Sequence, residues 1–210
     1  MNMHNESSEL NTIWEEAKAF VDQGDFDKAI ETYKYILIRY GHDPVANEYA
    51  QYNLADIQLT LRELDLAEEH IKAAIALNPD KPDYHYIMGF IHSKKEQWPS
   101  AMQEFKLAVD KSPDNAEHLR GLGWATFSRG YRTRGLRDLH KANELEPSNV
   151  NILNDLAAAY LMMTCFDMAR EQADKALKID PANALSQGIL AKVKEFQKKF
   201  EASKSIKHGS

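Results

Sequence analysis

The chain has 210 residues, of which 43% are hydrophobic and 28% are charged, and its formal net charge is −6. This apolar fraction is large enough to bury a core, which excludes a wholly disordered chain. No run approaches the roughly 20 apolar residues of a membrane span, and the opening MNMHNESSEL lacks the basic and apolar regions of a secretory signal. A single cysteine, Cys165, excludes an internal disulfide framework. We therefore expect a cytoplasmic protein.

A 34-residue period organises most of the chain. Prolines recur at this spacing, and each follows an alanine by five residues: Pro79, Pro113, Pro147 and Pro181, with Ala74, Ala108, Ala142 and Ala176. Small residues recur at two further positions: Ala67, Ala101, Gly135 and Ala169, and Ala55, Gly89, Gly123 and Ala157. Two antiparallel helices approach closely where small side chains face each other, and a proline after the second helix ends it. The period therefore predicts one helix pair per repeat.

This pattern of small residues and proline resembles the tetratricopeptide repeat (TPR) family. The resemblance implies an all-α fold: a right-handed α-solenoid of five helix–turn–helix repeats followed by a C-terminal capping helix that shields the last repeat. In chain order we predict a flexible N-terminus at 1–9, repeats at 10–47, 48–81, 82–115, 116–149 and 150–183, the capping helix at 184–203 and a flexible tail at 204–210. The first repeat is longer by four residues, around 39–44.

The family presents a concave groove, lined by the first helix of each repeat, to peptides or partner proteins, and the resemblance implies such a groove here. At the groove positions of the middle repeats the sequence is aromatic: Tyr52, Tyr86, Phe90, Trp124 and Phe127. Polar residues lie among these rings and would set the register of a ligand: Asn53, Asp56, Arg120 and Asn154. Aromatic and arginine side chains dominate the energetics of interfaces, so we predict these nine as the peptide- or partner-binding residues. The alternative is that some of the rings only pack as core between adjacent first helices.

One TPR subclass grips the C-terminal carboxylate of chaperone tails with two lysines, two asparagines and an arginine. Here Trp14 stands where the first lysine is needed, and Asp83 and Ile87 stand where the third repeat needs lysine and arginine. Asn53 matches the subclass, but the cations that bind a carboxylate are missing. We therefore do not expect this clamp.

A second candidate surface is the arginine cluster of the fourth repeat, which consists of Arg129, Arg132, Arg134 and Arg137. Guanidinium groups recognise carboxylates and phosphates, so this cluster predicts an acidic partner. The alternative is a solvated face, or pairing with acidic residues of neighbouring repeats. Arg132 occupies a place where the family usually has an aromatic residue.

Residue patterns typical of enzymes are missing from the sequence. There is no phosphate-binding loop ending in Gly-Lys-Ser/Thr and no His-Glu-x-x-His motif. His85 and His92 are seven residues apart on one helix, which predicts partly buried histidines with hydrogen-bond partners rather than metal ligands. We expect no catalytic residue, no metal and no cofactor.

The sequence therefore predicts a non-catalytic scaffold or adaptor that binds a peptide or partner helix in the groove. Two alternatives remain open. A substrate chaperone for a secretion- or pilus-type system would use the same groove. A self-assembling structural unit would pair the acidic first part of one chain with the arginines of another, or would use Trp14 at the N-terminal edge. Residues 1–80 hold 16 acidic and 6 basic side chains, whereas 81–210 hold 16 and 20. We expect a protein or peptide partner, with neither nucleic acid nor a membrane involved.

Overall fold

A computed structural model describes the backbone of residues 3–207 and the side chains of residues 8–200. Within that range the chain is all helical and contains no strand. The helices are α1 (Met3–Asp22), α2 (Phe26–Tyr40), α3 (Pro44–Thr60), α4 (Leu64–Leu77), α5 (Pro82–Lys94), α6 (Trp98–Lys111), α7 (Ala116–Ser128), α8 (Arg132–Leu145), α9 (Val150–Met162), α10 (Phe166–Ile179) and α11 (Ala184–Lys207). The predicted all-α class is confirmed.

The helices divide into two compact units, with the boundary between Lys111 and Ser112. In the first unit α1 packs on α2, α3 on α4 and α5 on α6, and each pair also contacts the next. In the second unit α7 packs on α8 and α9 on α10, while α11 covers α10 and α9. Each unit is thus a stack of helical pairs, and the second one ends in the expected capping helix.

The prolines of the 34-residue period end the repeats as predicted. Each lies two residues beyond the last residue of a second helix, and the four helices that end in this way are α4, α6, α8 and α10. Short polar side chains then begin the next first helix. Asn115 Oδ1 accepts the His118 backbone N–H at 3.0 Å, and Asn149 Oδ1 accepts that of Asn151 at 3.0 Å. These caps satisfy N–H groups that have no partner within the helix.

The turn inside every repeat contains one residue in the left-handed region. The five residues are Gly24, Arg62, Glu96, Gly130 and Thr164, with φ between 56° and 106°. The backbone N–H of the next residue reaches back to a carbonyl of the first helix in all five turns, at 2.8 to 3.1 Å. Glycine adopts this conformation without strain, whereas it is unfavourable for the β-branched Thr164.

Small residues bring the two helices of each pair together. The periodic alanines Ala55, Ala67 and Ala74 are fully buried, and so are the large side chains of Ile71 and Leu139 that fill the neighbouring space. Close packing of this kind leaves little tolerance for added volume. The core therefore follows the period found in the sequence.

Both chain ends differ from the prediction. Residues 3–9 were predicted to be flexible, yet they continue α1 towards the N-terminus. Helix α11 extends four residues beyond the predicted end at residue 203, into the predicted tail. Neither segment contains the glycine or proline that would end a helix. Residues 1–2 and 208–210 of the predicted flexible ends lie outside the described residues.

Candidate functional site

The first helices of the first unit carry five aromatic rings that we call the aromatic face. These are Trp14 on α1, Tyr49 and Tyr52 on α3, and Tyr86 and Phe90 on α5. Tyr49 is 49% exposed, and the other four are partly buried. Trp14 meets Tyr49 edge to face with centroids 4.8 Å apart, and Tyr86 lies 6.4 Å from Phe90. Trp14 and Tyr49 are outside the nine predicted residues. They occupy the same periodic positions as the predicted rings, and this periodicity could have identified them.

Three rings of the aromatic face rest on buried rings of the core. The pairs and their centroid distances are Trp14 on Tyr33 at 5.8 Å, Tyr52 on Tyr84 at 5.2 Å and Tyr86 on Phe105 at 5.6 Å. Tyr84 is in turn fixed by a hydrogen bond that its hydroxyl donates to Glu48 Oε1 at 2.7 Å. This support restricts the rings, so a ligand would meet a surface that is already ordered.

Polar residues of α3 lie beside these rings. Asn53 Nδ2 donates to the Tyr49 carbonyl at 2.7 Å, so its amide is engaged within the helix. Asp56 is exposed, one helical turn beyond Tyr52. Partial loss of solvent around the Asp56 carboxylate raises its pKa above the ordinary value. The predicted polar residue Asp56 is therefore accessible, whereas Asn53 stabilises its own helix.

Carboxylates act on the tyrosine hydroxyls under and within the aromatic face. Burial raises the pKa of Tyr52, and the nearby charges of Asp56 and Asp83 raise it further. Burial also raises the pKa of Tyr33 to about 12, with added contributions from Tyr49, Asp22 and Asp56. A negative charge opposes ionisation of a phenol, so these carboxylates favour the neutral form of the two tyrosines.

In the second unit, one of the two predicted rings is core. Trp124 is partly buried and stacks on Phe127 with centroids 6.1 Å apart and an interplanar angle of 17°. Phe127 is only 1% exposed. The prediction that Phe127 contacts a ligand is therefore wrong, because its ring fills the space between packed helices and supports Trp124 from below.

Arg120 is engaged within its own unit. Its guanidinium contacts Glu117 Oε2 at 2.7 Å and Asp155 Oδ2 at 2.8 Å, which ties α7 to α9. The side chain is 16% exposed. Two carboxylates therefore already neutralise the charge of Arg120, and its contact with a ligand stays a prediction.

Asn154 is likewise structural. It is 2% exposed, its Nδ2 donates to Asn183 Oδ1 at 3.3 Å, and its Oδ1 accepts from the Ser186 hydroxyl at 2.7 Å. These bonds link α9 to the start of α11. The prediction that Asn154 contacts a ligand is therefore wrong, because a polar side chain needs such partners when it is buried in the core.

All four side chains of the arginine cluster are exposed. Arg137 Nε lies 3.8 Å from Asp138 Oδ1, which is a loose contact between neighbours in sequence. Tyr131, which precedes Arg132, is 58% exposed and is the N-cap residue of α8. The cluster is thus an accessible cationic surface confined to the second unit.

The histidines have local partners. His85 Nδ1 lies 2.8 Å from Glu104 Oε2, and its Nε2 lies 2.9 Å from the Pro79 carbonyl. His92 Nδ1 lies 2.8 Å from Gln97 Oε1. The prediction that both histidines have hydrogen-bond partners is confirmed. No three histidine, cysteine or carboxylate side chains come together as metal ligands within the part of the chain that the structure describes.

Known proteins give the context for this geometry. The tetratricopeptide repeat family model matches residues 15–85. The TPR repeat-containing protein MJ1428 of Methanocaldococcus jannaschii is 28% identical over 188 residues, which are 87% of this chain and 32% of that protein. The Hsp70-Hsp90 organizing protein of Triticum aestivum is 24% identical over 183 residues, 87% of this chain and 29% of that protein.

Among solved structures, the chain resembles TTC0263, a thermophilic TPR protein of Thermus thermophilus. The TM-score is 0.70 at 22% identity, and the match covers 88% of this chain and 98% of that one. The chain spans about a third of the length of the curated relatives it matches. No helix among the described residues is both long and apolar enough to cross a bilayer.

Stacked helix–turn–helix pairs with a 34-residue period define an α-solenoid repeat protein, as the sequence predicted. The resemblance to the tetratricopeptide repeat family that the sequence predicted is confirmed by the match of that family's model. Proteins built from this repeat generally mediate protein–protein interaction.

Proposed function

We propose that the chain is a non-catalytic scaffold or adaptor and that the aromatic face of the first unit binds a peptide or a partner helix. The observation that carries this proposal is the presence of five rings on three successive first helices, with Tyr49 49% exposed. Aromatic side chains provide large contact areas with few rotatable bonds, and for that reason they dominate binding hot spots.

The support beneath the rings favours the same proposal. Trp14, Tyr52 and Tyr86 are each held by a core ring, so little side-chain freedom is lost when a ligand binds. Trp124 of the second unit is held in the same way by Phe127. We propose Trp124 as a separate contact on its own unit.

The proposal does not extend to chaperone tails, although one relative is an Hsp70-Hsp90 organizing protein. Recognition of a terminal carboxylate needs several cations that point towards it. Asp83 and the 8%-exposed Ile87 occupy two of the positions where such a clamp has cations. We therefore propose binding through apolar contacts to internal parts of a partner.

A second surface is proposed for the second unit. The arginine cluster is exposed, and its one ion pair within the described side chains is the loose contact of Arg137 with Asp138. Exposed guanidinium groups form bidentate contacts with carboxylates. We propose that an acidic segment of a partner binds here.

The aromatic face can be tested with two tyrosines of nearly equal exposure. Tyr49 is 49% exposed on the face, and Tyr35 is 46% exposed on α2, a second helix of the same unit. We expect Tyr49→Ala to weaken binding of a captured partner by about tenfold, since an exposed aromatic anchor contributes on the order of 1.5 kcal/mol. Tyr35→Ala should leave binding unchanged.

The measurement is affinity capture from the source organism's lysate, followed by calorimetry with the purified partner. Circular dichroism checks that both variants retain full helicity. A second variant replaces both Tyr49 and Tyr52 with alanine. If this variant and Tyr49→Ala bind the partner as tightly as wild type does, the proposed site is contradicted.

A further inference from the structure

We propose that the partner segment bound by the aromatic face is cationic, with lysine or arginine side chains next to an apolar or aromatic anchor. This inference rests on the proposed function of the face. It specifies the chemistry of the ligand, which the TPR fold alone leaves open.

Asp56 lies beside two tyrosines of the aromatic face. Helix α3 presents Tyr49, Tyr52 and Asp56 at spacings of three and four residues, so they form one stripe. The Asp56 side chain is exposed and has no ion-pair partner among the side chains that the structure describes. A peptide that covers the two tyrosines therefore also covers this carboxylate.

A ligand that covers the Asp56 carboxylate displaces its water, which has an energetic cost. A carboxylate that loses its water needs a charged or hydrogen-bonding partner, or binding becomes weaker. Partial desolvation already raises the Asp56 pKa in the free chain. An apolar or acidic ligand would add to this cost, whereas a lysine or arginine would offset it.

Further carboxylates act on the same group of rings. Asp22 at the end of α1 and Asp56 both oppose ionisation of the Tyr33 hydroxyl, and Asp83 at the start of α5 joins Asp56 in opposing that of Tyr52. These contributions add to the attraction that the exposed Asp56 offers a ligand cation.

Cations already lie near this surface. Lys94 Nζ lies 4.8 Å from the centroid of Phe90, so a ring of the face accepts a cation. Lys18 is exposed on α1. The two lysines belong to a unit that is acidic overall, with 20 acidic and 11 basic residues and a formal charge of −9.

The test is selection from a phage-displayed library of random dodecapeptides on the immobilised full chain. We expect the selected peptides to be enriched in lysine or arginine beside aromatic or aliphatic residues. Labelled copies of these peptides are then measured by fluorescence anisotropy against two variants. Asp22→Asn/Asp56→Asn removes charge at the face, and Glu31→Gln/Glu69→Gln removes the same charge from exposed positions on α2 and α4.

We expect the face variant to weaken binding about tenfold or more and the control variant less than about twofold, since close pairs contribute far more than distant ones. Binding to wild type should also weaken as salt concentration rises. Each variant is first checked for unchanged helicity, so that a loss of binding is not a loss of fold.

The outcomes separate this inference from the proposed function. Selected peptides without cations whose binding is lost in Tyr49→Ala would overturn the cationic specificity and leave the peptide-binding function intact. Failure to select any peptide that depends on Tyr49 would overturn both. Sedimentation velocity provides a further check by measuring self-association. If the chain self-associates and Asp22→Asn/Asp56→Asn abolishes this, the occupant of the face is the lysine-rich α11 of a second copy. That result would overturn the proposed partner.

Discussion

The two units share one repeat and differ in charge and in the use of their first helices. The first unit has a formal charge of −9, whereas the second has 12 acidic and 15 basic residues, a formal charge of +3. In the first unit the periodic surface positions hold tyrosines beside carboxylates. In the second unit Arg120 is neutralised by two carboxylates, and Asn154 is buried. The repeat therefore fixes the core, while the surface chemistry differs from one unit to the other.

The helix pairs also differ in how closely they approach. In the second unit a methyl group at Gly135 would lie 2.4 Å from the Phe127 backbone nitrogen and 2.5 Å from the Gly123 carbonyl oxygen. In the first unit a methyl group at Gly89 would meet the ring of Phe105 at 2.8 Å. Backbone therefore packs on backbone between α7 and α8, and backbone packs on a side chain between α5 and α6.

The largest expected effect comes from adding a methyl group at Gly135, where α7 and α8 are closest. The other four repeats have alanine where this one has Gly135, yet Gly135→Ala should destabilise the chain by about 2–3 kcal/mol. Overpacking against backbone atoms cannot be relieved by a rotamer change, and it exceeds the helix-propensity gain of about 1 kcal/mol. Urea unfolding followed by circular dichroism measures the change.

Gly89→Ala is the glycine substitution for comparison in the first unit, although Gly89 occupies the periodic position of Gly123. The added methyl group would lie 2.8 to 3.0 Å from three atoms of the buried Phe105 ring, so this side chain must shift, and we expect a net cost of about 1 kcal/mol, smaller than that of Gly135→Ala. Equal destabilisation by both substitutions would show that the two pairs do not differ in the way described.

The ion pairs that join neighbouring repeats provide the second comparison. Arg120→Ala should cost about 1–2 kcal/mol, because it leaves Glu117 and Asp155 without the cation between them. In the first unit Lys95 contacts Glu68 and Asp65 at 2.6 Å, but Asp65 is 97% exposed. Lys95→Ala should cost less than about 1 kcal/mol. Thermal unfolding at low and high salt measures the loss of stability in both variants. A larger loss in Lys95→Ala than in Arg120→Ala would contradict the prediction.

The smallest expected effect depends on pH. Hydrogen bonds from Lys72 and Lys95 lower the pKa of Glu68 to about 2 from 4.5. Because the folded state has the lower pKa, the stabilisation is complete above about pH 5 and is lost as the pH falls towards 2. Glu68→Gln should therefore cost about 1 kcal/mol at pH 7 and almost nothing at pH 2, measured by urea unfolding across this range.

A variant in the second unit sharpens the pH comparison. Asp138 in the second unit has the opposite sign, since burial raises its pKa above 3.8 despite Arg137, Arg134 and Lys141. Folding disfavours the ionised form of Asp138, so its contribution to the free energy of unfolding becomes less favourable as the pH rises. Asp138→Asn should therefore not lower stability at pH 7. A pH-independent effect of Glu68→Gln would refute the proposed linkage.

The sequence was sufficient for the helix pairs because their determinants are local and periodic. A proline such as Pro113 prevents a helix from continuing, and a small residue such as Ala67 indicates that two helices approach closely at that position. The turn residues were less visible, because only Gly24 and Gly130 signal a left-handed turn that Arg62, Glu96 and Thr164 also adopt. The candidate site was predicted in part: Tyr52, Tyr86 and Phe90 lie on the aromatic face, together with Trp14 and Tyr49 from the same periodic positions.

Sequence alone determined the all-α fold class, the register of the repeats and the division of charge along the chain, because periodicity and composition are properties of the chain itself. Tertiary structure decided which periodic side chains are accessible. Phe127 and Tyr86 look alike in the pattern, but only Phe127 is enclosed by its neighbours, and Arg120 finds its carboxylates on its own helix and on α9. Burial and charge pairing depend on the neighbours brought close by folding, and these neighbours lie as far as 35 residues away in sequence.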